Sequence, residues 1–416
     1  MESLRDIGYD LSAAVADLVD NSLDADALHV DIDLVHDERG GWLRVVDDGL
    51  GMTEGDIDEA MRYGSARKYG DRDLGHFGLG LKTASLSQCR CLTVAARTSP
   101  RGRIRSRRWD LDRVARTDAW ELERLTTRQA PSEAVEPLRN RSGTVVLWQR
   151  LDRILGTRRI DGEAAARRLE AAAEEIAEHL AMVFHRFLSG EAEGPSVAMR
   201  VNGRSLDAWD PFAREEPMTK LLEPQALSVE HAGATHRVAI QPWILPAQHH
   251  FPSPDAHEQA AGPRRWNRQQ GLYIYRRDRL VQSGGWNRLR TLDEHSKLAR
   301  IALDVPSRAD DAFRTNVSKM TVTLPDGLRA PLRALVAGVA ARAQDVYRRP
   351  IRAVPESGGA EEAVLAPTGL SIGDQWPLLL ATLNTELGHD PALLDRVLVS
   401  LANLAPAPPS EATAIG

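Results

Sequence analysis

The sequence predicts an α/β protein with a two-layer α/β sandwich, a second α/β domain and a small helical C-terminal region. Apolar residues recur at helical spacing over residues 6–25, and residues 162–188 form a long helical pattern rich in Ala and Glu. Residues 28–34 alternate apolar and polar side chains at the period of a strand. Helices followed by a run of strands are typical of a sheet covered by helices.

The first domain is predicted over residues 1–155. Its predicted elements are helices at 6–25, 54–62 and 79–88 and strands at 28–34, 43–46, 90–97, 103–109, 118–124 and 143–149. Residues 63–77 are glycine-rich and polar, so we expect a mobile loop there that could serve as a lid.

A second α/β domain is predicted over residues 156–350. Its clearest elements are a strand-turn-strand at 271–280, a strand at 301–305 and a closing helix at 329–348. Residues 351–416 are expected to form a linker, short helices and a disordered tail, and they are a candidate surface for a protein partner.

Net charge, cysteine content and the absence of long apolar runs limit the classes of protein that this sequence can encode. The net charge of −6 over 416 residues argues against a protein that coats nucleic acid through bulk charge. Two cysteines suit a reducing compartment, and no signal peptide or apolar run that spans a bilayer is present, so we expect a cytoplasmic protein without a membrane partner.

The most informative segment is a polar stripe on the first helix. Asp17, Asn21 and Asp24 fall on one side of the predicted helix, while Val15 and Leu18 belong to a separate apolar stripe. A helix with this pattern packs in the core and presents carboxylates and an amide to a ligand.

Three further motifs follow in order. Residues 47–52 read DDGLGM after a strand, residues 75–85 read GHFGLGLKTAS before a helix, and residues 142–144 read SGT before a strand. In this order the four segments resemble the ATP-binding domain shared by DNA gyrase, heat-shock chaperones, sensor histidine kinases and MutL, called GHKL ATPases. The wording is most similar to MORC-type and MutL-type proteins. The resemblance is strong over residues 1–155 and looser to about residue 350.

The resemblance implies roles for four polar residues. Asp17 matches the general base of ATP hydrolysis, and Asn21 matches the ligand of a magnesium ion. Asp47 matches the carboxylate that accepts a hydrogen bond from the adenine amino group, and Thr144 helps to hold the adenine from the opposite side. ATP and Mg²⁺ are therefore the implied ligands.

The glycine motifs complete the implied site. Gly49 and Gly51 let the backbone turn closely beneath the base. Gly78 and Gly80 would expose backbone N–H groups to phosphate at a helix N-terminus, and Lys82 would add a positive charge there. The other residues assigned to nucleotide binding are Asp24, Met52, Gly75, Leu79, Leu81 and Thr83.

The second domain resembles the ribosomal-protein-like transducer domain of MutL and gyrase. In that domain a lysine reaches the γ-phosphate, and the segment 316–319, which reads NVSK, makes Lys319 the candidate. The chain departs from the superfamily at Asp17, where most members have Glu. A carboxylate drawn back by about one bond implies slow turnover, since displacements of about 1 Å cost on the order of 100-fold in rate.

The resemblance implies an ATP-gated clamp in which two protomers associate, with DNA as the cargo in genome maintenance or defence against foreign DNA. Relatives clasp the partner through an N-terminal arm, and little of this chain precedes the first helix. A non-hydrolysing, ATP-dependent scaffold is the alternative. A histidine kinase is disfavoured because it requires a phosphoacceptor hairpin upstream of Asp17.

Two arginine clusters are candidate DNA contacts. For the first cluster the alternative is a solvated edge strand protected from aggregation. The clusters are Arg101, Arg103, Arg105, Arg107 and Arg108, and Arg264, Arg265, Arg268, Arg276, Arg277 and Arg279.

Overall fold

A mixed α/β architecture with two sheets is seen in the computed structural model of the protein. The structure describes residue 5 and residues 9–38, 40–62, 80–156, 162–313 and 322–348. Both sheets belong to one compact unit that spans residues 1–351.

The first sheet has eight strands in the order β5-β4-β3-β6-β2-β1-β7-β8. All of its pairings are antiparallel except that of β1 with β7, which is parallel. The strands are β1 (His29–Val35), β2 (Trp42–Asp47), β3 (Cys91–Arg97), β4 (Arg105–Asp110), β5 (Glu123–Leu125), β6 (Gly143–Gln149), β7 (Ala198–Val201) and β8 (Arg204–Ser205). The chain therefore returns to the first sheet after residue 155.

Most helices of this part cover one face of the sheet and share its main core, whereas the helix at Ser132–Val135 lies on the other face. The helices of this part are α1 (Leu11–Asp24), α2 (Glu54–Met61), α3 (Gly80–Gln88), α4 (Leu111–Thr117), α5 (Ser132–Val135), α6 (Asp152–Leu155), α7 (Gly162–Val183) and α8 (His185–Ser189). α1 packs against both α3 and α7. The other face of the sheet carries a small cluster around Val145 and Leu147, packed under Ala134 and Leu138.

Helix α1 forms because its apolar residues recur on one side of the helix. Val15, Leu18 and Val19 are buried in the core with strands of the first sheet. Asp10 precedes the helix in an extended conformation. Burial extends to Asp17 on its polar side, so this carboxylate faces protein rather than bulk water.

The second sheet has six strands. Its order is β10-β11-β14-β12-β13, with β9 paired to β11, and β12 runs parallel to β14. The strands are β9 (Lys220–Leu221), β10 (Gln225–His231), β11 (Ala234–Ile244), β12 (Gly271–Arg276), β13 (Arg279–Ser283) and β14 (Ala299–Val305). The helices are α9 (Pro254–Ala261), α10 (Arg265–Gln269), α11 (Asp310–Phe313) and α12 (Asp326–Arg348).

The two sheets have distinct hydrophobic cores that meet at β12 and β13. The second core gathers strands of the second sheet and the apolar side of α12. Tyr273, Tyr275 and Leu280 instead join the core of the first sheet. The β12–β13 hairpin is therefore the part of the second sheet that packs against the first.

Most predicted elements are present with shifted ends, and one is wrong. The predicted strand at 118–124 is reduced to β5, and residues 111–117, for which no element was predicted, form a helix that the Asp110 side chain caps. Among the described residues, no helix has the length and hydropathy needed to cross a bilayer.

Candidate functional site

Asp17 lies buried in the middle of α1. Asp17 is 4% exposed, and the hydroxyl of Tyr9 donates a hydrogen bond to Oδ2 of Asp17 at 3.0 Å. Burial and the neighbouring Asp17 carboxylate raise the pKa of Tyr9, so its phenol remains a donor at neutral pH. Tyr9 thus orients this carboxylate.

The start of α3 lies next to the same carboxylate. A Cβ built on Gly80, the first residue of α3, would sit 3.6 Å from Oδ2 of Asp17. The N-terminal end of a helix carries partial positive charge and N–H groups without intrahelical partners. Asp17 is therefore beside a helix terminus of the kind that binds anions.

The rest of the predicted polar stripe is open to solvent. Asn21 and Asp24 are exposed on α1, one and two helical turns beyond Asp17. The stripe thus has the buried carboxylate of Asp17 at one end and the exposed side chains of Asn21 and Asp24 at the other.

Asp47, at the end of β2, is the second buried carboxylate, at 5% exposure. Its Oδ1 accepts hydrogen bonds from the backbone N–H groups of Gly49 at 3.1 Å and Thr144 at 2.9 Å. Its Oδ2 accepts one from the Ser22 hydroxyl at 3.2 Å. Burial raises the pKa of Asp47 to about 6, against the opposing effect of these three donors.

The two glycines after Asp47 are required by close backbone approach. A Cβ on Gly49 would lie 2.5 Å from the carbonyl oxygen of Ala25. Gly51 has a φ of +67°, and a Cβ there would lie 2.1 Å from the carbonyl oxygen of Arg97. Both glycines let this loop press against α1 and β3, which fixes Asp47 relative to α1.

The neighbouring Asp48 has a different partner. It accepts hydrogen bonds from the backbone N–H groups of Leu28 and His29, both at 2.9 Å, and contacts the His29 ring. Although partial burial opposes the effect, these bonds hold the pKa of Asp48 below its usual value. Asp48 ties the loop to the start of β1, and Asp47 is left to face the site.

Lys82, the predicted phosphate contact, has its ammonium group bound to backbone carbonyls. It is buried, and its Nζ donates to the carbonyl oxygens of Ala60 at 2.9 Å and Arg62 at 2.6 Å. Burial lowers the pKa of Lys82. Here it binds the carbonyls at the C-terminal end of α2, a favourable place for a cation.

The remaining predicted residues fall into two groups. Met52 and Leu81 are partly buried against the core, and Thr83 is half-buried in α3. The predictions for Gly75, Gly78, Leu79 and Lys319, together with the lid at 63–77, lie outside the described residues.

The first arginine cluster does not form an edge strand. β4 begins at Arg105 and lies between β3 and β5. Arg107 is buried, bonded to Asp58, and contacts Glu54 at 3.3 Å. For Arg107, both the predicted DNA contact and the predicted solvated edge strand are therefore wrong. Its side chain instead ties β4 to α2.

The second arginine cluster is also divided. Arg264 donates to the carbonyl oxygen of Ser283 at 2.9 Å, and Arg265 pairs with Glu258. Arg279 is buried and binds Asp20 on α1. Its members thus serve different local structures.

Sequence reasoning missed three residues that bind the buried carboxylates. Tyr9 binds Asp17, Ser22 binds Asp47, and Arg279 binds Asp20 from 259 positions away. Ser22 lies inside the helix motif, so its proximity to the candidate site could have been inferred from the sequence. Nothing local in the sequence indicates a contact between Arg279 and Asp20.

A sequence model of the histidine kinase-, DNA gyrase B- and HSP90-like ATPase family matches residues 9–144. These residues include both buried carboxylates, the glycine loop and Thr144. Residues 9–144 are a GHKL-type ATPase domain. ATP binding follows from membership of this domain family.

Curated relatives of this ATPase domain carry the name MORC. The ATPase MORC2 of Homo sapiens is 40% identical over 81 residues, and the ATPase morc-1 of Caenorhabditis elegans is 37% identical over 73 residues. Each match covers 18% of this chain and 8% of the relative. The likeness is thus to a short part of much longer proteins.

Proposed function

We propose that the protein is a magnesium-dependent ATPase with slow turnover. The observation that carries the proposal is the pair of buried carboxylates arranged along α1 within the ATPase domain. Asp17 lies on α1 itself, and Asp47 is bound to it through Ser22, five residues further along. Five residues correspond to about 7.5 Å of helix, so the two carboxylates act on different parts of one nucleotide.

Asp47 is suited to read the adenine. Oδ1 already accepts two N–H donors and Oδ2 accepts one, while each carboxylate oxygen can accept about two. Oδ2 therefore retains capacity for the adenine amino group. Guanine presents a carbonyl oxygen at the same ring position, so this acceptor favours ATP over GTP.

Asp17 is suited to act as the general base. A carboxylate that is buried and oriented by a hydrogen bond can position the attacking water and accept its proton. Its shorter side chain, where most of the superfamily has Glu, supports slow turnover.

Asn21 fits a magnesium ligand. Its amide is exposed one helical turn after Asp17, and a neutral oxygen ligand suits a hard cation that keeps waters and phosphate oxygens. Magnesium, when bound, would neutralise charge on the phosphates during transfer.

We extend the proposal to an ATP-gated clamp in which two protomers associate. Contacts to the γ-phosphate exist before hydrolysis and not after it, so they can favour one conformation. The second sheet would act as the transducer domain, with Lys319 as the γ-phosphate contact. DNA is the proposed cargo, through exposed arginines such as Arg101, Arg103 and Arg268. Residues 351–416 would bind a protein partner.

The test is steady-state ATP hydrolysis with magnesium, with and without double-stranded DNA. We expect Asp17→Asn to lower turnover by about 100-fold or more while ATP binding is retained, since the base is lost. Asn21→Ala should lose turnover together with its dependence on magnesium. Asp26→Asn is the matched control, because Asp26 is exposed just beyond α1 at a positive φ that Asn tolerates.

The outcomes separate the candidate functions. Turnover that DNA stimulates and both variants lose would support the clamp, and sedimentation with a non-hydrolysable analogue should then show dimers. ATP binding by the wild type without turnover would reject the ATPase and favour the scaffold.

A further inference from the structure

One arginine of the second sheet reaches two carboxylates of α1. Nε of Arg279, at the start of β13, lies 2.7 Å from Oδ1 and 2.9 Å from Oδ2 of Asp20. Its Nη2 lies 3.9 Å from Oδ1 of Asp17. Arg279 is 4% exposed and Asp20 is 1% exposed. A single guanidinium therefore faces the buried carboxylates of Asp17 and Asp20.

The backbone that presents Arg279 is well defined. Arg276 and Arg279 pair across a tight turn whose central residues, Arg277 and Asp278, have φ values of 49° and 62°. Two consecutive residues with positive φ are typical of a turn that joins the strands of a hairpin with native twist. The position of Arg279 is thus fixed by the second sheet.

Other titratable and charged side chains lie near Arg279. A cavity of about 390 Å³ lies beside it between α1, α7 and β13, and Glu175, Glu178 and His179 of α7 line this cavity. Burial and the neighbouring Arg279 lower the pKa of His179 to about 4, so His179 is neutral at pH 7. Arg264 lines the same cavity and binds the Ser283 carbonyl.

We propose that Arg279 is the positioning residue through which the second sheet controls Asp17. This inference rests on the proposed ATPase function. Asp20 anchors the guanidinium because its two carboxylate oxygens share the Nε–H of Arg279. The same guanidinium stabilises and orients the Asp17 carboxylate one turn earlier on α1. A displacement of the hairpin by about 1 Å would shift Asp17 enough to change turnover by a large factor.

The adjoining cavity makes such a displacement feasible. Close packing resists motion, and a cavity where β13 meets α1 and α7 removes packing contacts that would otherwise hold the hairpin. The nucleotide-reading carboxylate Asp47 is bonded to Ser22, Gly49 and Thr144, none of which belongs to the second sheet. Movement of the hairpin is therefore expected to alter turnover rather than affinity.

The test compares Arg279→Gln and Arg279→Lys with the wild type by kcat, KM and affinity for a non-hydrolysable ATP analogue. We expect Arg279→Gln to lower kcat by about 10- to 100-fold, since Asp17 loses its positioning group. Analogue affinity should stay within about 2-fold, because the adenine contacts are untouched. Arg279→Lys keeps the charge without the planar fork, so its kcat should be intermediate.

Arg186→Gln is the matched control. Arg186 of α8 also ties the first part of the chain to the second sheet, through Asp278 in the hairpin turn at 3.0 Å and Asp304 of β14 at 2.5 Å, without a bond to α1. Its kcat should match that of the wild type within about 2-fold, as for a group outside the reacting centre.

Each remaining result decides against the inference. Equal loss of kcat in Arg186→Gln, or joint loss of kcat and affinity in Arg279→Gln, would overturn it in favour of a structural role. Failure of both Arg279 variants to fold, seen as a lost thermal transition, would do the same. An active wild type with unchanged kcat in Arg279→Gln rejects this inference alone, whereas an inactive wild type rejects the proposed ATPase as well.

Discussion

Two buried carboxylates of the ATPase domain, Asp17 and Asp47, are held in different ways. Asp47 is fixed by Ser22, Gly49 and Thr144, all of which lie within residues 9–144. Asp17 is held by the nearby Tyr9 but also faces Arg279, which the second sheet supplies. The end proposed to read the base is held by residues of the ATPase domain alone, whereas the end proposed to act in hydrolysis also contacts a residue from outside it.

This difference separates binding from turnover. A ligand stabilises a conformation only to the extent that its affinity differs between the two states. If Asp47 reads the base, its local partners let it bind nucleotide equally well wherever the second sheet lies. If Asp17 is the catalytic base, its contact with Arg279 makes turnover depend on the position of the second sheet. On these proposed roles, the domain would hold nucleotide in both positions of the second sheet and hydrolyse it in one.

The largest effect on nucleotide affinity is expected from Asp47→Asn. The variant replaces a charged acceptor with a neutral amide, so we expect affinity for a non-hydrolysable ATP analogue to fall by about 10- to 150-fold, the range for a hydrogen bond to a charged group. Isothermal titration calorimetry measures this directly.

Discrimination between ATP and GTP provides the control for this variant. The asparagine amide can donate to the guanine carbonyl, so the preference for ATP should shrink while the thermal transition is retained. Unchanged affinity in Asp47→Asn would break the comparison, because the base would then be read elsewhere.

The second prediction concerns pH. Burial raises the pKa of Asp47 to about 6, and the adenine amino group requires its ionised form. Affinity should therefore be constant above pH 7 and fall as pH drops through 6. At pH 5 about one carboxyl in eleven is ionised, which predicts about 10-fold weaker binding.

Asp47→Asn again supplies the comparison, because it retains any titration of the nucleotide phosphates. The difference between the two pH profiles isolates Asp47. If the profiles are parallel down to pH 5, the Asp47 carboxylate is not the group that titrates on binding.

Much of this architecture was readable from the sequence. Helix α1 and the strands β1, β3 and β6 were predicted because their apolar residues recur with a clear local period. Helix α4 was missed because seven residues give fewer than two turns and its start depends on the Asp110 cap.

The site was predicted in part for the same reason. Asp47, Gly49 and Gly51 are adjacent in sequence and in space, so their motif describes one loop. The sequence indicated only that Arg279 belongs to a basic cluster. Its partner Asp20 lies 259 positions earlier, so no local pattern predicts their contact. Lys82 matched a motif, yet its ammonium binds carbonyls of α2, and only three-dimensional packing specifies that contact.

The smallest effect is expected from Ser22→Ala. The Ser22 hydroxyl donates to Oδ2 of Asp47 at 3.2 Å, which favours the ionised carboxyl. Loss of this donor should raise the pKa of Asp47, so the midpoint of the affinity profile should move above pH 6. At pH 6 the affinity should fall by about 2- to 5-fold, the low end of what one hydrogen bond contributes. Since Ser22 lies on α1 between Asp20 and Asp24, an accompanying loss of kcat at pH 8 would show that the two carboxylates are coupled through the helix. Unchanged kcat at pH 8 would confirm that the base-reading end is independent of the catalytic end.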